Sequence, residues 1–131
     1  MQGGKLKVIV VDDEPVIADT LVDILGGEGY TAFAASDGLS AIKQARHIQP
    51  DAIISDVIMP GLDGIETAKA IREFLPNCRI ILISGQATTT DLLEQAHAQG
   101  YVFEVLAKPV NPEVLLSILS SARNRRTLRI S

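Results

Sequence analysis

The sequence predicts an α/β fold: a doubly wound, five-stranded parallel sheet made of five βα units, with helices on both faces. Three observations predict it. Short apolar runs recur along the 131 residues, the stretches between them carry helix start signals, and the core material is almost entirely Ile, Leu, Val and Ala, with no Trp and 4% aromatic residues. Strict alternation of strand and helix forces parallel pairing through right-handed crossovers. Strands buried on both faces by those helices call for this aliphatic composition.

The first strand is expected over Val8 to Val11. In the helix that follows, Ile17, Leu21, Ile24 and Leu25 recur at spacings of three and four and define an inward face, and Gly26, Gly27 and Gly29 end it. Tyr30 to Ala35 reads as the second strand and Ala52 to Ser55 as the third. Asp63-Gly64-Ile65-Glu66 then opens a helix, because an N-cap acid precedes a Glu three residues later. Ile80 to Ile83 is the fourth strand, Asp91 with Glu94 offers another helix start, and Val102 to Leu106 is the fifth strand. Asn111-Pro112-Glu113 opens the last helix, with Asn as N-cap and Pro at the first helical position, where its missing N–H costs nothing.

Of the sequence, 47% is hydrophobic and 21% charged, which fits one compact domain. No apolar run exceeds four residues, far short of the ~20 that span a bilayer, and MQGGKLK lacks the apolar stretch of a signal peptide. A soluble cytoplasmic protein with no membrane partner is expected. The single Cys78 allows no internal disulfide, which agrees with a reducing compartment and a buried or half-buried thiol. Net charge is −4, yet Arg123, Arg125, Arg126 and Arg129 crowd the end, so residues 1 to 122 carry −8. An acidic body without a basic stripe argues against nucleic-acid binding by this domain. The arginines fit a solvated helix end, where cations favour the negative end of the dipole, or a linker stub. His47 and His97 lie in helical stretches without a ligand pattern and are expected at the surface.

In open parallel sheets, chemistry collects beyond the carboxyl ends of the strands. Those ends here carry Asp12 and Asp13 after the first strand, Asp56 after the third, Ser84 after the fourth and Lys108 after the fifth. Converging carboxylates raise one another's pKa unless a cation neutralises them, and Mg²⁺, with its preference for oxygen ligands and phosphoryl groups, is the natural neutraliser. A lysine supplies a point charge for phosphate and a hydroxyl can donate to it. Three Asp, Ser, Lys and a metal suit phosphoryl transfer, in which a carboxylate can be the nucleophile. Taken singly, each has a bland counterpart: Asp at a helix cap, Ser in a turn, Lys in a loop. Their joint placement at four strand ends is what carries the functional reading.

At these residues the sequence resembles the receiver domains of two-component response regulators, over roughly residues 5 to 122, with VVDDEP, SDVIMPGLDG, ISGQ and LAKP in order. The resemblance implies a flavodoxin-like strand order 2-1-3-4-5 and Asp56 as phosphoryl acceptor. It implies Mg²⁺ on Asp12, Asp13, Asp56 and the main-chain carbonyl of Ile58, with Ser84 as the switch hydroxyl and Lys108 as the phosphoryl partner. Lys108-Pro109 resembles a bond that is often cis in the family. Implied partners are a sensor histidine kinase or histidine phosphotransfer protein, and a downstream target or second copy on the face made by the fourth helix, fifth strand and fifth helix. The module would be a signalling domain that assists its own phosphorylation and dephosphorylation rather than an enzyme, with residues 123–131 as a basic tail or linker stub. Ile58 and Gln86 occupy positions that resemble those tuning dephosphorylation. One departure stands out: the family usually has Tyr or Phe three residues before the lysine, and here that position is Val105. Strand alternation places Phe103 on the same side as Val105.

Three other classes compete. Haloacid-dehalogenase-like phosphotransferases carry Asp-x-Asp after the first strand, where this chain has Asp12-Asp13-Glu14. A flavin or nucleotide module needs a Gly/Ser/Thr-rich loop of bare N–H groups there, and Asp-Asp-Glu would repel phosphate. A degenerate receiver acting as a constitutive scaffold fits the Val105 departure but not the intact acidic trio.

Overall fold

The computed structural model describes residues 6–85 and 89–130, excluding the side chains of 89, 90 and 122–130. Five strands and five helices alternate: β1 Lys7–Val11, α1 Pro15–Gly27, β2 Thr31–Ala35, α2 Gly38–Ile48, β3 Ala52–Asp56, α3 Gly64–Phe74, β4 Arg79–Ser84, α4 Thr89–Ala98, β5 Glu104–Ala107 and α5 Pro112–Ile130. The strands form one sheet in the order β2-β1-β3-β4-β5, every pair parallel, as the resemblance implies.

Alternation along each strand divides the core in two. Ile9, Val11, Ile53, Ile80 and Leu82 face α2, α3 and α4, meeting Ala41, Ala45, Ile65, Ala68, Ile71 and Ala96. Val8, Val10, Ile54, Ile81 and Ile83 face α1 and α5, meeting Ala18, Leu21, Leu25, Leu115 and Leu119. Each fully buried Leu or Ile contributes ~1.5–3 kcal/mol relative to exposure. Cys78 is buried in the first cluster, whereas His47 and His97 are exposed.

Helix starts follow the sequence signals closely at two sites. Asp63 accepts from the Glu66 N–H while Glu66 reaches back to the Asp63 N–H, a complete capping box worth about 1 kcal/mol. Asn111 Oδ1 accepts from Glu113 N at 2.9 Å and opens α5 at Pro112. Asp91, by contrast, does not open α4, which starts at Thr89 and leaves Asp91 in its first turn, close to the positive end of the helix dipole. On α1 the inward face is Ala18, Leu21 and Leu25, with Ile24 half-buried and Ile17 exposed. Ile17 sits in the first turn, beyond the reach of the sheet, so apolar spacing alone overstated its burial.

The last strand is shorter than its apolar run. Gly100 adopts φ +94 after α4, and Tyr101 and Phe103 stack on each other at 5.9 Å between ring centroids instead of entering the ladder. β5 therefore starts at Glu104, and Val102 lies exposed before it. The backbone of α5 continues helical to Ile130, through the four terminal arginines, whose side chains lie outside the described residues, as does Gln86 entirely.

Candidate phosphoryl-acceptor site

Strand order reverses direction of growth at β1 and β3, and the rim above that point is where the acidic residues stand. Asp12 directly follows β1 and is held by two backbone bonds. Its N–H donates to the Ala35 carbonyl at 3.1 Å, and its Oδ1 accepts from the Glu14 N–H at 2.9 Å. The carboxylate is thus buried while neighbouring Asp13 stays exposed. Asp56 is the last residue of β3, also buried, with its strand locked to β4 by the Val57 N–H donating to the Ile83 carbonyl at 3.0 Å.

These three side chains meet: one carboxylate oxygen from each of Asp12, Asp13 and Asp56 lies within 4.8 Å of the others. Burial pushes the Asp12 carboxyl above the ordinary carboxylate range, and the nearby negative charges of Asp56 and Asp13 push the same way, against the Glu14 N–H and Lys108. A group of acids held this way fits a hard divalent cation, whose charge would offset both burial and mutual repulsion.

Lys108 follows β5, and its Nζ lies 2.7 Å from Asp56 Oδ2. That bond raises the Lys108 pKa, with burial opposing it. Its backbone N–H donates to the Ser84 carbonyl at 3.0 Å, which fixes the root of the lysine to the end of β4. The Lys108-Pro109 peptide is cis. Ser84 ends β4 opposite Ala107, partly exposed on the same rim. Ile58 lies two residues beyond Asp56 in the loop to α3, its side chain 49% exposed.

Two glycines complete the site that sequence reasoning passed over. A Cβ on Gly64 would stand 2.1 Å from the Asp56 carbonyl oxygen, so only glycine lets α3 begin directly beneath the acceptor strand. A Cβ on Gly85 would stand 3.0 Å from Lys108 Cδ, so the bare backbone makes room for the lysine stem. The glycines of Asp63-Gly64 and Ser84-Gly85 were visible in the sequence, but a close approach between distant segments has no local signature.

At Val105 the structure is specific. Its register neighbour Leu82 is fully buried, yet Val105 itself is 44% exposed and outside both core clusters. Phe103 packs against the first cluster from before β5 begins, two residues or roughly 7 Å further from the strand's carboxyl end.

Comparison with known proteins agrees with this geometry. The mycobacterial "DNA-binding response regulator MtrA" of Mycolicibacterium smegmatis is 30% identical over 98% of this chain and 53% of its own length. The "Probable transcriptional regulatory protein TcrX" of Mycobacterium tuberculosis is 32% identical over 92% of this chain and 51% of its own. The chain therefore spans about half the length of these curated relatives. Among solved structures, the Vibrio cholerae chemotaxis protein CheY4 superposes with a TM-score of 0.80 at 32% identity, covering 90% of this chain and 98% of that one. A receiver domain protein from Clostridium thermocellum superposes with a TM-score of 0.83 at 28% identity, covering 94% and 98%. Residues 8–120 match the family described as the response regulator receiver domain, and with the relatives above this establishes that the chain belongs to that family of two-component signalling modules.

Proposed function

We propose that the chain accepts a phosphoryl group on Asp56 from the phosphohistidine of a sensor histidine kinase or histidine phosphotransfer protein, and changes a protein-binding face as a result. The observation that carries this reading is the placement of Asp56. Its carboxylate lies 2.7 Å from Lys108 Nζ on one side and within 4.8 Å of Asp12 and Asp13 on the other. Asp12, Asp13, Asp56 and the Ile58 main-chain carbonyl would hold Mg²⁺, which when bound supplies positive charge for phosphoryl oxygens.

In the transfer, an Asp56 carboxylate oxygen forms the new P–O bond as the P–N bond to the donor imidazole breaks. Lys108, already beside Asp56, moves its charge onto a phosphoryl oxygen, and the Ser84 hydroxyl donates to another. A docked partner excludes water from this rim. Val16 (77% exposed), Ile17 and Ile58 are large apolar side chains left exposed a few residues along the chain from Asp13 and Asp56, which suits a protein donor. The chain would then act as a signalling domain that assists its own phosphorylation and dephosphorylation.

Output would pass to a downstream protein or a second copy on the face made by α4, β5 and α5, biasing two pre-existing states. Residues 5–122 would form the receiver unit, with 123–131 a basic tail or linker stub, and nucleic-acid binding would fall outside this unit. No helix among the described residues is long and apolar enough to cross a membrane, and a cytoplasmic location is consistent with the proposed partners. The test is intact mass after incubation with acetyl phosphate, with and without Mg²⁺. A Mg²⁺-dependent gain of about 80 Da in the wild type that disappears in Asp56→Asn is expected. An equal gain in Asp56→Asn would remove the acceptor assignment.

A further inference from the structure

Among the described residues, four polar or charged side chains are buried: Asp12, Ser55, Asp56 and Thr67. Two of them belong to the acceptor site, and Thr67 closes its own helix turn, its hydroxyl donating to the Asp63 carbonyl at 2.8 Å. Ser55 is left, 1% exposed and directly before the acceptor in β3. Its register neighbours are Val11 on β1 and Leu82 on β4, both fully buried in the cluster that faces α2, α3 and α4. Ile53 and Val57, two residues to either side, lie in the same cluster. Packing among these aliphatic side chains asks for no hydroxyl, and one buried there destabilises the fold unless it finds an acceptor.

That acceptor is the backbone of the next residue. Ser55 Oγ donates to the Asp56 carbonyl at 3.0 Å. The same oxygen abuts the start of α3, where a Cβ on Gly64 would stand 2.1 Å from it. The β1–β3 register ends at the Val11–Ser55 pair, so this carbonyl lies just where pairing with β1 has stopped. At the other end of the same peptide, the Val57 N–H donates to the Ile83 carbonyl at 3.0 Å. The peptide plane that joins Asp56 to Val57 is therefore tied at both ends, and the Ser55 hydroxyl is one of the two ties.

We propose that Ser55 is a positioning residue for phosphoryl transfer: its hydroxyl fixes the Asp56–Val57 peptide, and through it the aim of the Asp56 carboxylate at Lys108 and at Asp12 and Asp13. The inference rests on the acceptor role proposed above and adds a residue that touches neither the phosphoryl group nor the metal. A peptide released from Ser55 can turn about the Asp56 Cα–C bond. Because its far end stays tied to Ile83, the turn is taken up at the Asp56 Cα and carried along the side chain, whose Oδ2 lies 2.7 Å from Lys108 Nζ. Reacting groups are held to geometry this tight by the hydrogen bonds behind them.

The experiment compares Ser55→Ala, Ser55→Cys and Ser55→Thr with the wild type, each shown folded by circular dichroism. The rate of mass gain with acetyl phosphate and Mg²⁺ falls roughly tenfold in Ser55→Ala, the effect of about half an ångström of misplacement where a full ångström costs about 10²-fold. Ser55→Thr keeps the hydroxyl in a strand position that suits a β-branched residue, and restores the rate. Ser55→Cys, with its weaker S–H donor, falls between, and takes the place of Ser55→Thr should the added methyl prevent folding. The NMR shift of the Asp56 carbonyl carbon, measured without metal or phosphodonor, reads the bond itself: it moves in Ser55→Ala and returns in Ser55→Thr. A lowered urea midpoint in Ser55→Ala with an unchanged rate overturns the proposal, leaving Ser55 a purely structural residue. An unmoved carbonyl shift overturns it too, as do folded hydroxyl and thiol variants that are as slow as Ser55→Ala. A wild type that gains no phosphoryl mass removes the acceptor reading and this role with it, whereas equal gains in wild type and Ser55→Ala remove the positioning role alone.

Discussion

Replacing Gly64 by Ala tests whether the start of α3 sets the position of the acceptor. The added Cβ would lie 2.1 Å from the Asp56 carbonyl oxygen, 2.9 Å from its carbon and 3.0 Å from Val57 Cα, where ordinary contact begins near 3.4 Å. More than 1 Å must open between α3 and the end of β3. Neither side yields easily. The Gly64 N–H is bonded to the Val57 carbonyl at 2.8 Å, Val57 is bonded to Ile83, and the Asp63–Glu66 capping box holds the helix start. Overpacking of this kind costs about 1–3 kcal/mol, and backbone against backbone belongs at the top of that range. Moving Asp56 by about 1 Å relative to Lys108 and the other acids is expected to slow phosphorylation by roughly 10²-fold. Urea denaturation and the initial rate of mass gain with acetyl phosphate, both on protein shown folded by circular dichroism, measure the two effects. Gly26→Ala is the control: it lies in the last turn of α1 with open space around it, and is expected to gain about 0.5–1 kcal/mol with no change in rate. Wild-type stability and rate in Gly64→Ala would refute the reasoning.

Asp12→Asn is expected to stabilise the metal-free protein at pH 7, by on the order of 1 kcal/mol from relief of charge repulsion alone. Because the folded pKa of Asp12 is raised, the folded state binds the extra proton, so wild-type stability falls as pH rises from the ordinary carboxylate value through the raised one. The advantage of the variant should therefore vanish below about pH 4 in thermal melts with chelator present, and an advantage that grew on acidification would contradict the cause assigned. Cys78, buried and with its thiol pushed up to about 12, is expected to resist a thiol reagent at pH 8 until denaturant is added; rapid labelling of the folded protein would contradict its burial. Val105→Ala is expected to cost less than about 1 kcal/mol in urea titration, against roughly 2–5 for its buried register neighbour in Leu82→Ala, and equal losses would show that Val105 is packed after all.

Much of this protein was legible in one dimension. Strand-helix alternation and aliphatic runs decide the sheet, since parallel strands need covered faces and crossover helices, and the capping residues Asp63 and Asn111 act within three residues of themselves. The convergence of Asp12, Asp13, Asp56, Ser84 and Lys108 on one rim follows from their positions at strand ends in such a sheet. What needed three dimensions was everything set by contact between distant segments. Local spacing placed Ile17 inside and began β5 at Val102, but burial depends on what lies across from a residue, and Ile17 and Val102 have too little there. Gly64 and Gly85 looked like ordinary turn glycines until the Asp56 backbone and the Lys108 stem were seen against them. The same holds for Phe103, which sequence periodicity assigned to a strand and which stacks instead on Tyr101, with Lys69 and Arg72 of α3, some thirty residues earlier in the chain, lying over the two rings. Propensity and pattern are properties of neighbours along the chain, whereas close approach and exposure belong to neighbours in space, and only the folded packing brings those together.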